Sequence, residues 1–249
     1  MELYSPCPCA KITLKVGDKM VISGVQKLTL LDFPGRTACT VFFAGCNFRC
    51  PFCHNSILVE RPEEAGRIPE DEFFDFLKRR KGLLDGVAIT GGEPTLNKDL
   101  PDFMAKIKEI GYAVKLDSNG TNPDMLSEII DNNLADYIAM DIKNSKEKYA
   151  VTSGIDDRFM EKVEKSVELL MQNKTDFEFR TTIVKQFHTA DDMLKISEWI
   201  KGEEKYFIQA FKNSGDLIDP TMEGVSYEEY QNFLNIVKNN VPKVSLRGI

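Results

Sequence analysis

The feature that most narrows the fold is a recurring unit: a short apolar run, a polar loop, then an amphipathic helix. Six runs read as strands, namely Ala38–Ala44, Gly86–Thr90, Tyr112–Asp117, Tyr137–Asp141, Phe177–Val184 and Tyr206–Ala210. They are rich in β-branched and aromatic residues and mostly apolar throughout, as strands covered on both faces are. Spacings of three and four fill the intervals. Phe73, Phe74, Phe76 and Leu77 make one helical face; Phe103, Met104, Ile107 and Ile110 make the next, stopped by Gly111. Leu126, Ile129 and Ile130 follow, then Phe159, Val163, Val167 and Leu170. Met193, Ile196 and Ile200 form a fifth face, and Tyr227, Tyr230, Leu234 and Val237 close the chain. Strands alternating with helices imply right-handed crossovers and a parallel α/β sheet. Six units fall short of the eight in a closed barrel, so an open, partial barrel is expected; a doubly wound sheet would give the same pattern. In both, ligands gather at the carboxyl ends of the strands.

A chain of 249 residues, 42% hydrophobic, is long enough for one sizeable core. Its net charge of −7 offers no basic footprint for nucleic acid or anionic lipid. No apolar run reaches the length of a membrane span, and Met1–Ala10 lacks the basic and apolar parts of a signal peptide, so a cytoplasmic protein is expected. Residues 1–22 read as an N-terminal extension and 23–249 as a single domain. Disulfide scaffolds belong mainly to small secreted chains, whereas three of the six cysteines here crowd between Cys46 and Cys53. That clustering reads as metal or redox chemistry.

The crowded segment, Cys46-Asn47-Phe48-Arg49-Cys50-Pro51-Phe52-Cys53, directly follows the first strand. Thiolates three and four positions apart on one loop can converge on one metal centre. Three ligands suit a four-iron cubane with one iron left open, while a structural zinc normally takes four. His54 is adjacent to Cys53 and poorly placed to share its metal, the only other histidine is His188, and Cys39 lies inside a strand, pointing away.

The other strand ends are polar. The second runs into Thr90-Gly91-Gly92-Glu93-Pro94, where paired glycines let backbone approach a ligand and Glu93 can accept from an ammonium group. The same residues would also make an ordinary turn. The third strand ends at Asp117-Ser118-Asn119-Gly120 and the fourth at Asp141-Ile142-Lys143. Both aspartates also read as turn or cap residues, and Lys143 as a solvated lysine. Arg180, among apolar neighbours on the fifth strand, needs a partner, either an anionic ligand or a nearby carboxylate. Gln209 stands at the end of the sixth.

The CxxxCxxC spacing, with aromatic Phe52 before the last cysteine, is the signature of the radical S-adenosylmethionine superfamily, and Cys53-His54-Asn55 resembles its glycyl-radical-enzyme activating branch. The resemblance runs from about Ser23 to Ile249. Leu30–Gly35, Met140–Lys143, Phe179–Thr182 and Val244–Ile249 are similar to the long form of the anaerobic ribonucleoside-triphosphate reductase activating protein. The runner-up is a pyruvate formate-lyase activating enzyme, with the same fold, cofactors and reaction.

The resemblance implies a partial (β/α)6 barrel, open on one side, and oxidoreductase chemistry. It implies a [4Fe–4S] cluster on Cys46, Cys50 and Cys53. It also implies an S-adenosylmethionine pocket formed by Gly91, Gly92, Glu93, Asp117, Ser118, Asp141, Lys143 and Arg180. There the Gly91–Glu93 segment holds the methionyl amino group, Lys143 meets the carboxylate, and Asp117 with Asp141 helps hold a monovalent cation. The implied partners are a glycyl-radical enzyme and a one-electron donor such as flavodoxin or ferredoxin. Two departures stand out: Cys7-Pro8-Cys9 near the start, and Lys212 where some relatives carry a histidine. A reading of another class is a non-catalytic zinc- or cluster-binding interaction module.

Overall fold

The six apolar runs form the six central strands of one sheet. The computed structural model describes residues 21–249 apart from 173, 204 and 214. Cys7 and Cys9, and all but the last two residues of the 1–22 extension, lie outside the described residues. The central strands are β2 (Ala38–Phe43), β3 (Gly86–Gly91), β4 (Ala113–Ser118), β5 (Tyr137–Asp141), β6 (Asp176–Ile183) and β7 (Tyr206–Ala210). Two flanking strands were not expected, β1 (Ile22–Thr29) and β8 (Ser245–Arg247). β1 is a half-exposed edge whose Ser23, Gln26 and Lys27 break any apolar run, and β8 has only three residues.

The strand order is β1 to β8 in sequence, with β1 antiparallel to β2 and every later pair parallel. An order without reversal decides between the two architectures. Right-handed crossovers that always step the same way put the helices on one side, and the sheet curls as a barrel does. A doubly wound sheet would need the order to turn back. β1 and β8 do not pair with each other, so the barrel stays open.

The helices are α1 (Ser56–Glu60), α2 (Glu70–Arg79), α3 (Leu100–Ile110), α4 (Pro123–Asp131), α5 (Tyr149–Ser153), α6 (Met160–Leu170), α7 (Ala190–Trp199) and α8 (Tyr227–Val237). Alternate strand residues face them: Cys39, Val41 and Phe43 on β2, Val114 and Leu116 on β4, Phe177 and Phe179 on β6 are buried in the main core. Phe43 meets Phe103 of α3 edge-on at 5.5 Å. Of the stripe expected on α8, Tyr230 and Val237 are buried and Leu234 packs partly buried against the core, while Tyr227 falls outside it. Tyr227, its first residue, is 62% exposed, and the buried residues are Tyr230, Phe233 and Val237. Tyr230 is fixed there because its hydroxyl accepts from the Phe211 N–H at 3.1 Å.

The opposite face of the strands lines the barrel lumen. At its amino end Phe33, Ala38 and Tyr137 form a small apolar plug. Above it Glu178, fully buried, accepts from both terminal nitrogens of Arg247 at 2.7 and 3.0 Å and from the Tyr137 hydroxyl at 2.8 Å. The Arg247 guanidinium lies 3.7 Å over the Phe207 ring. A buried carboxylate needs such partners, and they pin the short β8 to the sheet. Among the described residues no helix is long and apolar enough to cross a membrane.

Candidate active site

A cavity of about 460 Å³ opens at the carboxyl ends of the strands. The loop after β2 lends it Cys46, Cys50 and Cys53; the end of β3 lends Gly91, Gly92 and Glu93. Asp117 and Ser118 come from β4, Asp141 and Lys143 from the end of β5, Arg180 from β6 and Gln209 from β7. Every site residue singled out in the sequence reaches this one space. Cys39 does not; it is fully buried in the helix-facing core.

The cysteine loop is held from several sides. The Cys53 N–H donates to the Cys50 carbonyl at 3.0 Å, and the Arg49 N–H to the Ser153 carbonyl at 2.8 Å. The Arg49 guanidinium donates to the carbonyls of Cys46 and Phe48 at 2.6 and 2.7 Å. Across the loop, the Asp219 N–H donates to the Pro51 carbonyl at 2.8 Å and the Ser56 hydroxyl to Asp216 at 2.6 Å. His54 spends its Nε2 on the Lys212 carbonyl at 2.6 Å. Lys212 thus contributes backbone to the loop's anchorage.

The three thiols are free. Burial pushes Cys46 up to about 12, helped by the Glu93 charge, and Cys50 up to about 11. They are neutral in the unloaded protein, and a metal would displace their protons. Among the described residues no three Cys, His, Asp or Glu side chains stand close enough to hold one metal ion. Cys46, Cys50 and Cys53 nevertheless line one cavity, and a cubane would take each thiolate on a different iron. Among the described residues the cavity offers three thiols, which would leave one iron of such a cluster open.

The glycine pair has a structural cause that the sequence did not reveal. A Cβ on Gly92 would land 2.5 Å from the Gly45 carbonyl carbon and 3.2 Å from the Cys46 Cβ, and one on Gly91 would strike the Phe43 backbone. The glycines let β3 close on the chain's own cysteine loop. Glu93 is then fixed by its neighbours. Its Oε1 accepts from the Thr95 N–H (3.1 Å), the Thr95 hydroxyl (2.6 Å) and the Ser118 hydroxyl (2.9 Å), and its Oε2 from the Asn119 N–H (2.6 Å). So Ser118 gives its proton to Glu93, and Glu93 keeps lone-pair capacity on Oε2 alone. Burial raises its carboxyl despite these donors. Both sequence readings meet here: Glu93 caps the Pro94–Leu96 turn and also lines the cavity.

The charged residues form one chain. Lys115 pairs with Asp117 Oδ1. Arg180 reaches Asp117 Oδ2 at 3.3 Å and Asp141 Oδ1 at 2.9 Å, and Lys143 holds Asp141 Oδ2 at 2.9 Å. Burial would raise both aspartates; the Arg180 guanidinium, with Lys115 on one and Lys143 on the other, overcomes it and holds them below the usual range. Arg180 therefore finds carboxylates as its partners. Neither aspartate caps the helix that follows, and Lys143 is mostly buried. All four carboxylate oxygens of the two aspartates are engaged by side-chain cations, so a monovalent cation expected between them would share that place with Arg180.

Lys115 was missed. It is 2% exposed on β4 and two residues from Asp117, so a period of two puts both on one face and carried the signal. Asn119 was missed as well: its side-chain amide donates to Asn47 of the cysteine loop at 2.8 Å, tying two strand ends together. Asp32 also lines the cavity and accepts from the Thr40 hydroxyl at 2.5 Å.

Comparison with known proteins agrees with this geometry. The family profile of the radical SAM superfamily matches residues 40–200. A Methanocaldococcus jannaschii protein with the provisional name glycyl-radical enzyme activating enzyme MJ1227 is 36% identical over 201 residues, which is 78% of this chain and 81% of the relative. The pyruvate formate-lyase-activating enzyme of Clostridium pasteurianum is 31% identical over 156 residues, 59% of this chain and 63% of its own. Streptococcus suis SuiB bound to S-adenosylmethionine shares the fold, with a TM-score of 0.61 over 82% of this chain and 48% of that one at 13% identity. An open barrel built in chain order, three thiols on the loop after its first parallel strand and a profile match over more than half the sequence lead to one conclusion: the chain belongs to the radical SAM superfamily, whose enzymes use a [4Fe–4S] cluster and S-adenosylmethionine.

Proposed function

We propose that this radical SAM enzyme activates a glycyl-radical enzyme, and that its partner is an anaerobic ribonucleoside-triphosphate reductase in the cytoplasm. The observation that carries the reading is the meeting of Cys46, Cys50 and Cys53 with Glu93 and Lys143 on one cavity. Two Methanocaldococcus jannaschii relatives bearing the activating-enzyme name support the activating branch. The Leu30–Gly35 and Val244–Ile249 segments support the reductase as partner.

On this reading Cys46, Cys50 and Cys53 each hold one iron. When bound, the cluster and S-adenosylmethionine supply one-electron cleavage of the sulfonium, giving a 5′-deoxyadenosyl radical that takes hydrogen from a glycine Cα. The chain's residues orient the cofactor. Glu93, whose Oε2 accepts only from the Asn119 N–H, would accept from the methionyl ammonium. Lys143, held by Asp141, would present its charge to the methionyl carboxylate. The unpaired edges of β1 and β8 leave a lateral entrance for a polypeptide, and glycine is the residue whose Cα approaches without a side chain in the way. The electron comes from a donor of the flavodoxin or ferredoxin class.

The Clostridium pasteurianum relative favours a second reading, in which the partner is a pyruvate formate-lyase. The test mixes reduced, cluster-loaded protein and S-adenosylmethionine with peptides copying each partner's glycine loop, deuterated at the glycine Cα. Deuterium in 5′-deoxyadenosine from the reductase peptide, with a glycyl radical on the whole reductase by electron paramagnetic resonance, is the expected result. Label from the lyase peptide alone moves the assignment to the second reading, and label from neither removes peptide substrates.

A further inference from the structure

Asp117 and Asp141 stand on neighbouring strands, and one planar group bridges them. Arg180 Nε meets Asp141 at 2.9 Å, and another nitrogen of the same guanidinium meets Asp117 at 3.3 Å. The two lysines take only the outer oxygens, Lys115 on Asp117 and Lys143 on Asp141. Side-chain exposure is 13% for Arg180, 17% for Asp117 and 29% for Asp141, so solvent screens this group weakly. Two carboxylates side by side in such a lumen need a cation between them.

We propose that Arg180 is a tethered counter-cation: its guanidinium fills the interval between Asp117 and Asp141 in place of a free monovalent ion. Cofactor binding then proceeds without added potassium or sodium, and removal of the side chain opens a site for a small monovalent cation. The geometry favours this over direct contact of Arg180 with an anionic ligand. Arg180 already gives separate nitrogens to two carboxylates, which a lysine's point charge cannot do. Within the chain of pairs, three cations face two anions. The surplus charge falls to Lys143, whose only ion-pair partner among the described residues is Asp141 and which lines the cavity. Arg180 is thus a positioning residue that sets Lys143 through Asp141.

The inference rests on the proposed cofactor site only for its titration; its cation-binding half does not. The first measurement is the affinity of the cluster-loaded wild-type protein for S-adenosylmethionine in potassium, sodium and tetramethylammonium chloride at matched ionic strength. Values within about twofold of one another are expected, since screening is the same in each. A rise of about tenfold with potassium or sodium would show a free cation at work and overturn the proposal, with no variant required.

The second measurement uses Arg180→Ala. In tetramethylammonium its affinity should fall about tenfold or more, and guanidinium or potassium at millimolar concentration should restore much of the loss. Thermal melting of the unloaded variant gives a readout free of cofactor. Guanidinium at about 20 mM should raise its midpoint by several degrees and leave the wild type unmoved. A folded variant that ignores every cation in both assays would refute the proposal. If Arg180→Ala does not fold, the wild-type cation series still decides. Failure to activate any glycine peptide would sink the proposed function and leave both cation readouts standing.

Discussion

Replacing Gly92 with alanine separates two explanations of the glycine pair at the end of β3. If the glycines exist to admit a ligand, the variant should keep its stability and its iron and lose affinity for S-adenosylmethionine. The structure argues otherwise, because the added Cβ would sit 2.5 Å from the Gly45 carbonyl carbon and 3.2 Å from the Cys46 Cβ. β3 and the cysteine loop must then part. Two backbone bonds span that junction, from the Gly92 N–H to the Phe43 carbonyl and from the Glu93 N–H to the Gly45 carbonyl, each 2.8 Å. Losing both costs about 1 kcal/mol each, and residual overpacking adds about 1–3, for a sum of about 3–5 kcal/mol. A domain of this size with about 5–15 kcal/mol of stability should still fold, melting roughly 6–20 °C lower. Because the strain falls on Cys46, bound iron after anaerobic reconstitution should drop with the melting temperature. Gly24→Ala is the control: its Cβ would meet only Phe42 at 3.8 Å, an ordinary contact, so iron and melting should stay near wild type. A Gly92→Ala protein with wild-type melting and full iron would refute the argument.

Single changes of Cys46, Cys50 or Cys53 to Ala should each abolish a stable four-iron cluster by iron analysis and absorbance near roughly 400 nm, whereas Cys39→Ala should keep full iron. Glu93→Gln should retain iron but bind S-adenosylmethionine more weakly by about 1.5–3 kcal/mol, seen by titration of the reduced protein. Burial raises the Glu93 carboxyl, so the stability it contributes is present below its unfolded value of 4.5 and lost as pH rises through the folded value. Melts of the unloaded Gln variant and the wild type, compared across that window, should shift in the variant's favour as pH rises; a constant gap would refute the assignment. Arg247→Ala strands the buried Glu178 carboxylate and should cost about 3 kcal/mol, or roughly 6–12 °C, with much of it recovered by adding Glu178→Gln. An unchanged melting temperature would mean that β8 is held by something else.

The apolar runs from Ala38 to Ala210 are local signals, and each became a strand within a residue or two of its expected limits because burial on both faces leaves little choice of residue. The CxxxCxxC loop and the polar residues at each strand end were also legible, since parallel strands with crossovers put all their carboxyl ends at one side. Other matters depended on which strands lie side by side. The edge strand β1 has too many polar residues to announce itself, and it forms because β2 offers an unpaired edge. The choice between an open barrel and a doubly wound sheet is a matter of strand order, which periodicity does not encode. Arg180 shows the same limit most sharply. Its residue type demanded an anion, but whether that anion was a ligand or a carboxylate was decided by the register that sets Arg180 beside Asp141, with Asp117 one strand further on. Sequence determined which groups the site contains; tertiary structure determined which of them neutralise one another and which remain free to meet a ligand, because pairing depends on distances that only the packed sheet defines.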